Sequence, residues 1–182
     1  MRKAVWIAAI IAVVAACSFG FKAHAAAAAD TIQVGTTAPN FTLPSQEDKP
    51  ISLSDFKGKW VVLYFYPKDQ TQGCTIEAHN FQRDLEQYQK ANAVILGVSV
   101  DSAGSHKDFC AKEGLHFLLL SDPDAKVSTE YDSVMTYEGE KLSSRNTYLI
   151  SPDGKIAKVF LKVKPANHSE EVLAALASLQ KS

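Results

Sequence analysis

The chain has 182 residues, of which 46% are hydrophobic and 21% charged. This composition fits one folded domain with a sizeable core and excludes a disordered chain. The formal net charge is −1, and Arg2, Lys3 and Lys22 lie in an N-terminal segment without acidic residues. The rest of the chain lacks the basic surplus of a nucleic-acid-binding surface, so we expect no nucleic acid partner.

The first 25 residues predict an export signal. Two basic residues precede an apolar run at 4–21, and Ala23-His24-Ala25 has the small-x-small pattern of a signal peptidase site. We therefore expect a periplasmic or otherwise exported protein. The predicted segments are a signal peptide at 1–25, an alanine-rich linker at 26–30 and the folded domain at 31–182.

Two alternatives concern the same segment. Residues 14–17, Val-Ala-Ala-Cys, resemble a lipobox, which would make Cys17 a lipidated first residue. The apolar run could also just span a bilayer if it is not cleaved. Only in these two cases would the protein be attached to a membrane. In every case Cys17 belongs to targeting, which leaves Cys74 and Cys110 for the folded domain.

The domain begins with a predicted β-hairpin, because residues 32–43 and 51–56 carry β-branched and aromatic side chains around a proline-containing turn. The apolar run at 60–66, WVVLYFY, predicts a strand covered on both faces. From 74 to 91, apolar residues at three- and four-residue spacing predict an amphipathic helix that begins at or just after Cys74. These apolar residues are Ile76, Ala78, Phe81, Leu85 and Tyr88.

The later elements alternate between strands and helices and end in a hairpin and a helix. They are a strand at 94–100, a helix at 105–113 ended by Gly114, a strand at 117–120, a short helix at 125–131, a hairpin of 146–150 and 155–163 around the turn 151–154, and a helix at 169–180 with Ser169 as N-cap. This order predicts an α/β fold with a mixed central sheet flanked by helices.

Cys74 stands where a predicted strand gives way to a predicted helix. A cysteine in the first turn of a helix lies beside unpaired backbone N–H groups and the positive end of the helix dipole, which favour the nucleophilic thiolate. Pro67 directs the chain at the strand end, Gly73 permits close approach of the backbone, and the Thr71 hydroxyl can reach toward the sulfur. The alternative is a buried, inert cysteine.

The motif around this cysteine, YFYPKD-x-T-x-GCT-x-E at 64–77, resembles the peroxidatic loop of the peroxiredoxins, in particular the bacterioferritin comigratory protein or PrxQ branch. Similar segments extend over residues 32–182 and include Arg145-x-Thr147 ahead of a predicted strand. The resemblance implies a thioredoxin-like fold with an N-terminal β-hairpin, and neither a cofactor nor a metal.

The resemblance also implies a thiol-dependent peroxidase that acts in antioxidant defence. The Cys74 thiolate attacks hydrogen peroxide or an organic hydroperoxide, releases water or an alcohol, and becomes a sulfenic acid. Thr71 and the backbone N–H of Cys74 hold the peroxide oxygens, and Arg145 stabilises the thiolate and the transferring charge. Without the resemblance, Arg145 would be interpreted as an ordinary surface arginine.

A second cysteine completes the implied cycle. Many members of the branch have it five residues after the first, where this chain has His79. Cys110 matches a variant with the resolving cysteine on the following helix, which implies a Cys74–Cys110 disulfide reduced by thioredoxin or a thioredoxin-like dithiol. Since two helices seldom bring Cα atoms within the roughly 7 Å that a disulfide needs, the turn around Cys74 must open. Alternatively, Cys110 is a packing residue and an external thiol resolves Cys74.

One departure and one alternative function accompany the resemblance. Gln72 replaces the proline of the usual Thr-Pro-x-Cys, which puts the rigidity of the loop in doubt. The alternative is a thioredoxin-fold metal-binding or thiol-transfer module of the cell envelope, because His106 and Cys110 have the i, i+4 spacing of metal ligands. Such modules keep two cysteines close together in the loop, and this loop has one. With no arm after the last predicted helix, we expect a monomer rather than a ring.

Overall fold

The computed structural model describes residues 32–181. The predicted signal peptide, the linker and Cys17 lie outside the described residues, as do both end positions of the predicted domain. Within the described range, every helix is too short or too polar to cross a bilayer.

Strands and helices alternate along the described residues. The strands are β1 (Thr42–Pro44), β2 (Pro50–Ser52), β3 (Trp60–Phe65), β4 (Ala93–Ser99), β5 (Leu118–Ser121), β6 (Val134–Tyr137), β7 (Glu140–Ser143), β8 (Thr147–Ile150) and β9 (Ile156–Phe160). The α-helices are α1 (Gln72–Arg83), α2 (Leu85–Lys90), α3 (Ala103–Glu113), α4 (Lys126–Glu130) and α5 (His168–Leu179), and a 3-10 helix, Leu53–Phe56, follows β2.

Five strands form the central sheet in the order β5-β4-β3-β8-β9. Strands β3, β4 and β5 run parallel, while β8 is antiparallel to β3 and β9 is antiparallel to β8. The apolar strand β3 takes the central position, where both of its faces are covered. The mixed sheet with flanking helices confirms the predicted α/β class, and the hairpin of β8 and β9 confirms the predicted pairing around residues 151–154.

Side chains of β3 alternate between two cores, as the period of a strand requires. Val62 and Tyr64 belong to a core with residues of α1, α2, α3 and α5. Leu63 and Phe65 belong to the other core, with the N-terminal hairpin and α4. Cys74 is part of the first core and is 2% exposed. The helix that carries the cysteine is therefore packed on the sheet from its first turn.

The N-terminal hairpin is confirmed, but it is shorter than predicted. Strands β1 and β2 pair over three residues each, from Thr42↔Ser52 to Pro44↔Pro50. The predicted strand 51–56 turns after Ser52 into a 3-10 helix, at whose start the Asp55 carboxylate accepts a 2.8 Å hydrogen bond from the Ser52 N–H. The hairpin of β6 and β7 is absent from the sequence prediction because its residues are mostly exposed and show no regular apolar alternation.

The predicted helix at 74–91 is two helices in the structure. Asp84 interrupts it with φ −95° and ψ 3°, and the buried Asp84 carboxylate accepts a 2.8 Å hydrogen bond from the Ser169 hydroxyl. The prediction that Ser169 caps the last helix is therefore wrong. Helix α5 begins at His168 after Asn167, and Ser169 ties α5 to the junction of α1 and α2 instead.

Helix α1 buries Ala78 and Phe81 as predicted, but the buried face is shifted at its first turn. Ile76, predicted to lie in the core, is 43% exposed, whereas Glu77 is 1% exposed. The buried residues are Cys74, Glu77, Ala78 and Phe81, which again follow three- and four-residue spacing. The prediction is therefore wrong only for Ile76, and the buried face includes the Glu77 carboxyl group instead.

His168 anchors the start of α5 to the sheet. The ring is fully buried, and its Nε2 shares a 2.8 Å hydrogen bond with the Thr147 hydroxyl. Burial lowers the His168 pKa to about 4, below the ordinary value of about 6.5. The unfolded chain therefore binds a proton at this residue more readily than the folded chain does.

We expect His168→Gln to reduce the acid sensitivity of folding. In the wild type, protonation of the unfolded state should lower the free energy of unfolding as the pH falls from about 6.5 to about 4, by up to about 3 kcal/mol. Above this window both states are neutral and His168 makes no pH-dependent contribution. Urea unfolding of both proteins near pH 7 and near pH 4.5 checks this, and equal losses of stability would contradict it.

Candidate functional site

Cys74 is the third residue of α1, which begins at Gln72. The predicted helix start is therefore two residues late, and the sulfur lies in the first turn, where backbone N–H groups have no helical acceptor. Gln72 occupies the first helical position, at which proline is favoured in general. The replacement of proline thus leaves the helix start intact and removes only the restraint of a fixed φ angle.

The Arg145 guanidinium contacts the sulfur directly. Its Nη2 donates to Cys74 Sγ at 3.1 Å, and its Nη1 donates to Glu77 Oε2 at 2.6 Å. One cation therefore bridges two residues that lie three apart on the same face of α1. A guanidinium in this position stabilises negative charge on the sulfur.

The backbone around Arg145 is held by hydrogen bonds on both sides. The Arg145 carbonyl accepts from the Val163 N–H at 3.0 Å. The neighbouring Asn146 accepts the Lys162 N–H at 3.0 Å and donates to the Asp132 carbonyl at 3.2 Å. Arg145 thus extends toward α1 from a fixed segment between β7 and β8. Its position before a strand and beside Cys74 agrees with the sequence analysis, and its catalytic role stays a prediction.

Glu77 is a site residue that sequence reasoning did not select. Burial raises the pKa of its carboxyl to about 7, against the lowering effect of Arg145. Its Oε1 is buried and has no hydrogen-bond partner among the described residues. A buried, partly unpaired carboxyl group is unfavourable. We therefore attribute the burial of Glu77 to its contact with Arg145. The sequence feature that could have identified Glu77 is its position three residues after Cys74, which places both residues on one face of the helix.

Pro67 and Thr71 lie in the loop between β3 and α1, as predicted. The Thr71 hydroxyl donates to the Lys68 carbonyl at 3.0 Å, so its proton is directed to the loop rather than to Cys74. The predicted approach of this hydroxyl to the sulfur is therefore not part of this arrangement. Its role in holding a peroxide stays a prediction that requires the hydroxyl to turn.

An open cavity of about 410 Å³ lies beside this loop. Pro67 and Thr71 line one part of it, and Met135, Tyr137 and Leu142 from the β6–β7 hairpin line another. Met135 is 37% and Tyr137 57% exposed. The hairpin that the sequence analysis missed thus places an apolar surface next to the loop that precedes Cys74.

Cys110 lies on α3, half-buried against the same core that contains Cys74. Both cysteines are free thiols in this structure. Burial, together with the carboxylates of Asp69 and Glu47, raises the pKa of Cys110 to about 11. Near neutral pH the thiol of Cys110 is therefore protonated in this arrangement and is a poor nucleophile.

His106, from the alternative metal site, and His79, which stands where many members of the PrxQ branch have a second cysteine, both contact carboxylates. His106 is fully buried with its Nδ1 2.9 Å from Asp69 Oδ2, and His79 Nε2 lies 2.9 Å from Glu113 Oε2. Residues 32–181 include no cluster of three or more His, Cys, Asp or Glu side chains that could hold a metal ion. The helical pair His106 and Cys110 therefore does not extend to a larger ligand set in the described chain.

Residues 34–159 match the model of the AhpC/TSA family. The chain belongs to this family. Its relatives are named peroxiredoxins: peroxiredoxin Bcp of Bacillus subtilis is 41% identical over 150 residues, which cover 80% of this chain and 96% of the relative. Chloroplastic peroxiredoxin Q of Sedum lineare is 44% identical over 147 residues, which cover 80% of this chain and 78% of the relative. The resemblance to the Bcp/PrxQ branch is thus confirmed, and this peroxiredoxin is a peroxidase-class oxidoreductase.

Solved structures agree with this assignment. A cysteine-to-serine variant of Xylella fastidiosa PrxQ superposes with a TM-score of 0.78 at 37% identity, over 82% of this chain and 98% of that one. A bacterioferritin comigratory protein of Xanthomonas campestris gives a TM-score of 0.72 at 40% identity, over 76% of this chain and 91% of that one. These likenesses confirm the predicted thioredoxin-like fold.

Gly73 provides the space through which Arg145 reaches the sulfur. A Cβ atom at this position would lie 2.8 Å from Arg145 Nη2. Because the guanidinium is the far end of a flexible side chain, it would move before the helix does.

We expect Gly73→Ala to fold normally and to slow the oxidation of Cys74 by hydrogen peroxide at least about tenfold, because the stabilising cation is displaced. Gly104→Ala on α3 is the matched control, since its Cβ would lie 3.8 Å from the nearest side-chain atom, and it should react at the wild-type rate. Stopped-flow oxidation of the two variants distinguishes them. A wild-type rate in Gly73→Ala would show that the contact with Arg145 is not needed.

Proposed function

We propose that this peroxiredoxin reduces hydrogen peroxide and organic hydroperoxides through a sulfenic acid at Cys74. The observation that carries the proposal is the 3.1 Å contact from Arg145 Nη2 to Cys74 Sγ. Negative charge moves from the sulfur to the departing oxygen as the O–O bond breaks. A cation already held beside the sulfur stabilises this charge without having to reorganise.

The first step oxidises the sulfur by two electrons. The Cys74 thiolate attacks one peroxide oxygen, the S–O bond forms and the O–O bond breaks, and the departing oxygen takes a proton to leave as water or an alcohol. Pro67 directs the loop, and the backbone N–H of Cys74 donates to the peroxide. Thr71 joins it when its hydroxyl exchanges the bond to the Lys68 carbonyl for one to the substrate.

The cavity beside the loop supports organic hydroperoxides as substrates. Met135, Tyr137 and Leu142 offer apolar contacts to an alkyl group in the space that Thr71 also lines. The similar Xanthomonas campestris protein has alkyl peroxide reduction activity. In this chain the alkyl group would lie against the β6–β7 hairpin while the peroxide group faces the loop.

Cys110 is the proposed resolving residue. Its thiolate attacks the sulfenic sulfur, the S–S bond forms and the S–O bond breaks, and the released hydroxide is protonated to water. The disulfide is then reduced by thioredoxin or a similar dithiol through exchange. The supporting observation is that Cys110 packs on the core that contains Cys74, from the neighbouring α3. The cycle uses residues of one chain and no cofactor, in keeping with the expected monomer.

Serine replacements of the two cysteines test this cycle. With thioredoxin, its reductase and either hydrogen peroxide or cumene hydroperoxide, Cys74→Ser should show no turnover, because it lacks the nucleophile. Cys110→Ser should undergo one rapid oxidation per molecule and recycle poorly, because no internal thiol resolves the sulfenic acid. Coupled consumption of NADPH and the intact mass of each protein measure both effects.

The outcomes separate the parts of the proposal. Turnover by Cys74→Ser would refute the nucleophile, and normal recycling of Cys110→Ser would refute the resolving residue. Failure of cumene hydroperoxide alone would remove organic hydroperoxides from the substrates. The wild type and Gly104→Ala serve as controls for folding and assay.

Export of this peroxiredoxin is a further part of the proposal, supported by the basic start, apolar run and Ala23-His24-Ala25 of the N-terminal segment. Expression of the full chain in a bacterium, followed by fractionation and intact mass, should give a periplasmic protein that begins after Ala25. A lipidated protein beginning at Cys17 would support the lipobox instead. A full-length protein in the cytosol would contradict export.

A further inference from the structure

We propose that Asp69 and His106 form a latch that holds α3 on the peroxidatic loop, and that release of this latch sets the rate of Cys74–Cys110 disulfide formation. The peroxidatic loop here means residues 66–71, between β3 and α1, and the latch means the buried pair of Asp69 and His106. This inference rests on the proposed function and adds to it a positioning pair for the resolving step.

The latch is a buried polar cluster centred on one carboxylate. Asp69 Oδ2 lies 2.9 Å from His106 Nδ1 and accepts a 2.7 Å hydrogen bond from the Ser105 hydroxyl. Asp69 Oδ1 accepts a 2.7 Å hydrogen bond from the Tyr66 hydroxyl. Asp69 is 6% exposed and His106 is fully buried. Two adjacent residues of α3 therefore bind a single residue of the loop.

The charge of the carboxylate strengthens these contacts. Burial acts to raise the Asp69 pKa, but hydrogen bonds from His106, Ser105 and Tyr66 outweigh it, and the pKa lies below its ordinary value. The carboxylate is thus ionised near neutral pH, and its hydrogen bonds are charge-assisted. Since the ionised carboxylate accepts only, the geometry assigns the Nδ1 proton of His106 to this bond.

The other nitrogen of His106 shows that the imidazole is not explained by packing alone. Its Nε2 is buried and has no hydrogen-bond partner within residues 32–181. A buried polar atom without a partner is unfavourable, and an apolar side chain would avoid that penalty. The contact to Asp69 is the interaction that compensates for it.

The latch connects the segments that carry the two cysteines. Asp69 precedes Cys74 by five residues in the chain, and His106 precedes Cys110 by four residues on α3. Residues four apart lie on the same face of a helix, so the face of α3 that is bound to the loop is also the face that carries Cys110. Movement of α3 away from the loop therefore breaks the contacts of Asp69 and changes the surroundings of Cys110 together.

The closed arrangement keeps Cys110 unreactive. Burial, and next the Asp69 carboxylate, raise the pKa of Cys110 to about 11. Opening of the latch exposes the thiol to water and moves it away from this carboxylate, and both changes favour the thiolate that attacks the sulfenic acid. Asp69 thus restrains the helix and suppresses ionisation of its cysteine at the same time.

The same buried cluster includes a 3.3 Å contact between the Tyr66 hydroxyl and His106 Nδ1. Outside this cluster, the side-chain polar contacts between α3 and the loop or α1 are more exposed. Lys112 Nζ lies 3.5 Å from Gln70 Oε1, and His79, which contacts Glu113, has a side chain that is 51% exposed. Exposed pairs contribute little to stability because water competes for them. In the described structure the buried pair is therefore the principal polar restraint on α3.

Two substitutions at one position test the latch. His106→Leu removes the donor and fills the site with an apolar side chain, whereas His106→Asn keeps an N–H donor near the position of Nδ1. Each full domain is mixed with hydrogen peroxide, quenched at intervals with an alkylating reagent and analysed by intact mass, so that thiol, sulfenic acid and disulfide are counted separately. We expect His106→Leu to form the disulfide about tenfold faster, as expected for the loss of a charged hydrogen bond, with its rate of Cys74 oxidation unchanged. His106→Asn should restore the wild-type rate.

Tyr88→Phe is the matched control. It removes a buried 2.8 Å hydrogen bond from the Tyr88 hydroxyl to the Ser169 carbonyl, between α2 and α5, and should leave both rates unchanged. If it accelerates disulfide formation as much as His106→Leu does, general loosening explains the effect and the latch is overturned. A wild-type or slower rate in His106→Leu overturns it as well.

A milder variant keeps the test decisive if His106→Leu does not fold. Ser105→Ala removes one of the two bonds from α3 to Asp69 and should accelerate disulfide formation about threefold, and an unchanged rate would contradict the latch. Absence of any oxidation of Cys74 in the wild type would refute the proposed function, and the latch with it. Normal oxidation with no effect of these variants would refute the latch alone.

Discussion

One guanidinium joins the chemistry of this peroxiredoxin to its fold. Arg145 donates to the Cys74 sulfur, 71 residues away in the chain, and to the Glu77 carboxylate, 68 residues away. This bridge accounts for the burial of a carboxylate on α1, and for the glycine at position 73, where a side chain would meet the guanidinium. Helix α1, the segment before β8 and the Cys74 sulfur are therefore positioned by the same group.

In the proposed cycle, the arrangement that reacts with peroxide differs from the arrangement that forms the disulfide. Cys74 is held in the first turn of a packed helix, and Cys110 is held protonated on another. The proposed reaction with peroxide needs helix α1 intact, because Arg145 contacts Cys74 there. The proposed Cys74–Cys110 disulfide needs the two segments to move, because each sulfur lies on a folded helix. The polar contacts of the peroxidatic loop join the segment before Cys74 to the helix that carries Cys110. The buried Asp69 carboxylate restrains α3 at this one place, and the rest of the core does not depend on that contact.

Much of the sheet was predictable from its residues. Strands β3, β4 and β8 are short apolar runs, and such runs favour strands covered on both faces. The break at Asp84 was not predictable, because the carboxylate that interrupts the helix is stabilised by Ser169 on α5. The β6–β7 hairpin was missed because its exposed residues carry no apolar alternation. It nevertheless supplies Met135 and Tyr137 to the cavity beside the loop.

The sequence by itself determined the family, the thioredoxin-like fold and the place of Cys74 at a strand-to-helix junction, because these depend on local motif and apolar pattern. It also indicated Arg145 by resemblance. The tertiary structure alone decided that Glu77 faces Arg145, that Asp69 binds His106 and that Thr71 turns to Lys68. A pattern of residues shows which side chains are polar. It does not show which buried polar groups find partners, since those partners come together only when the chain folds.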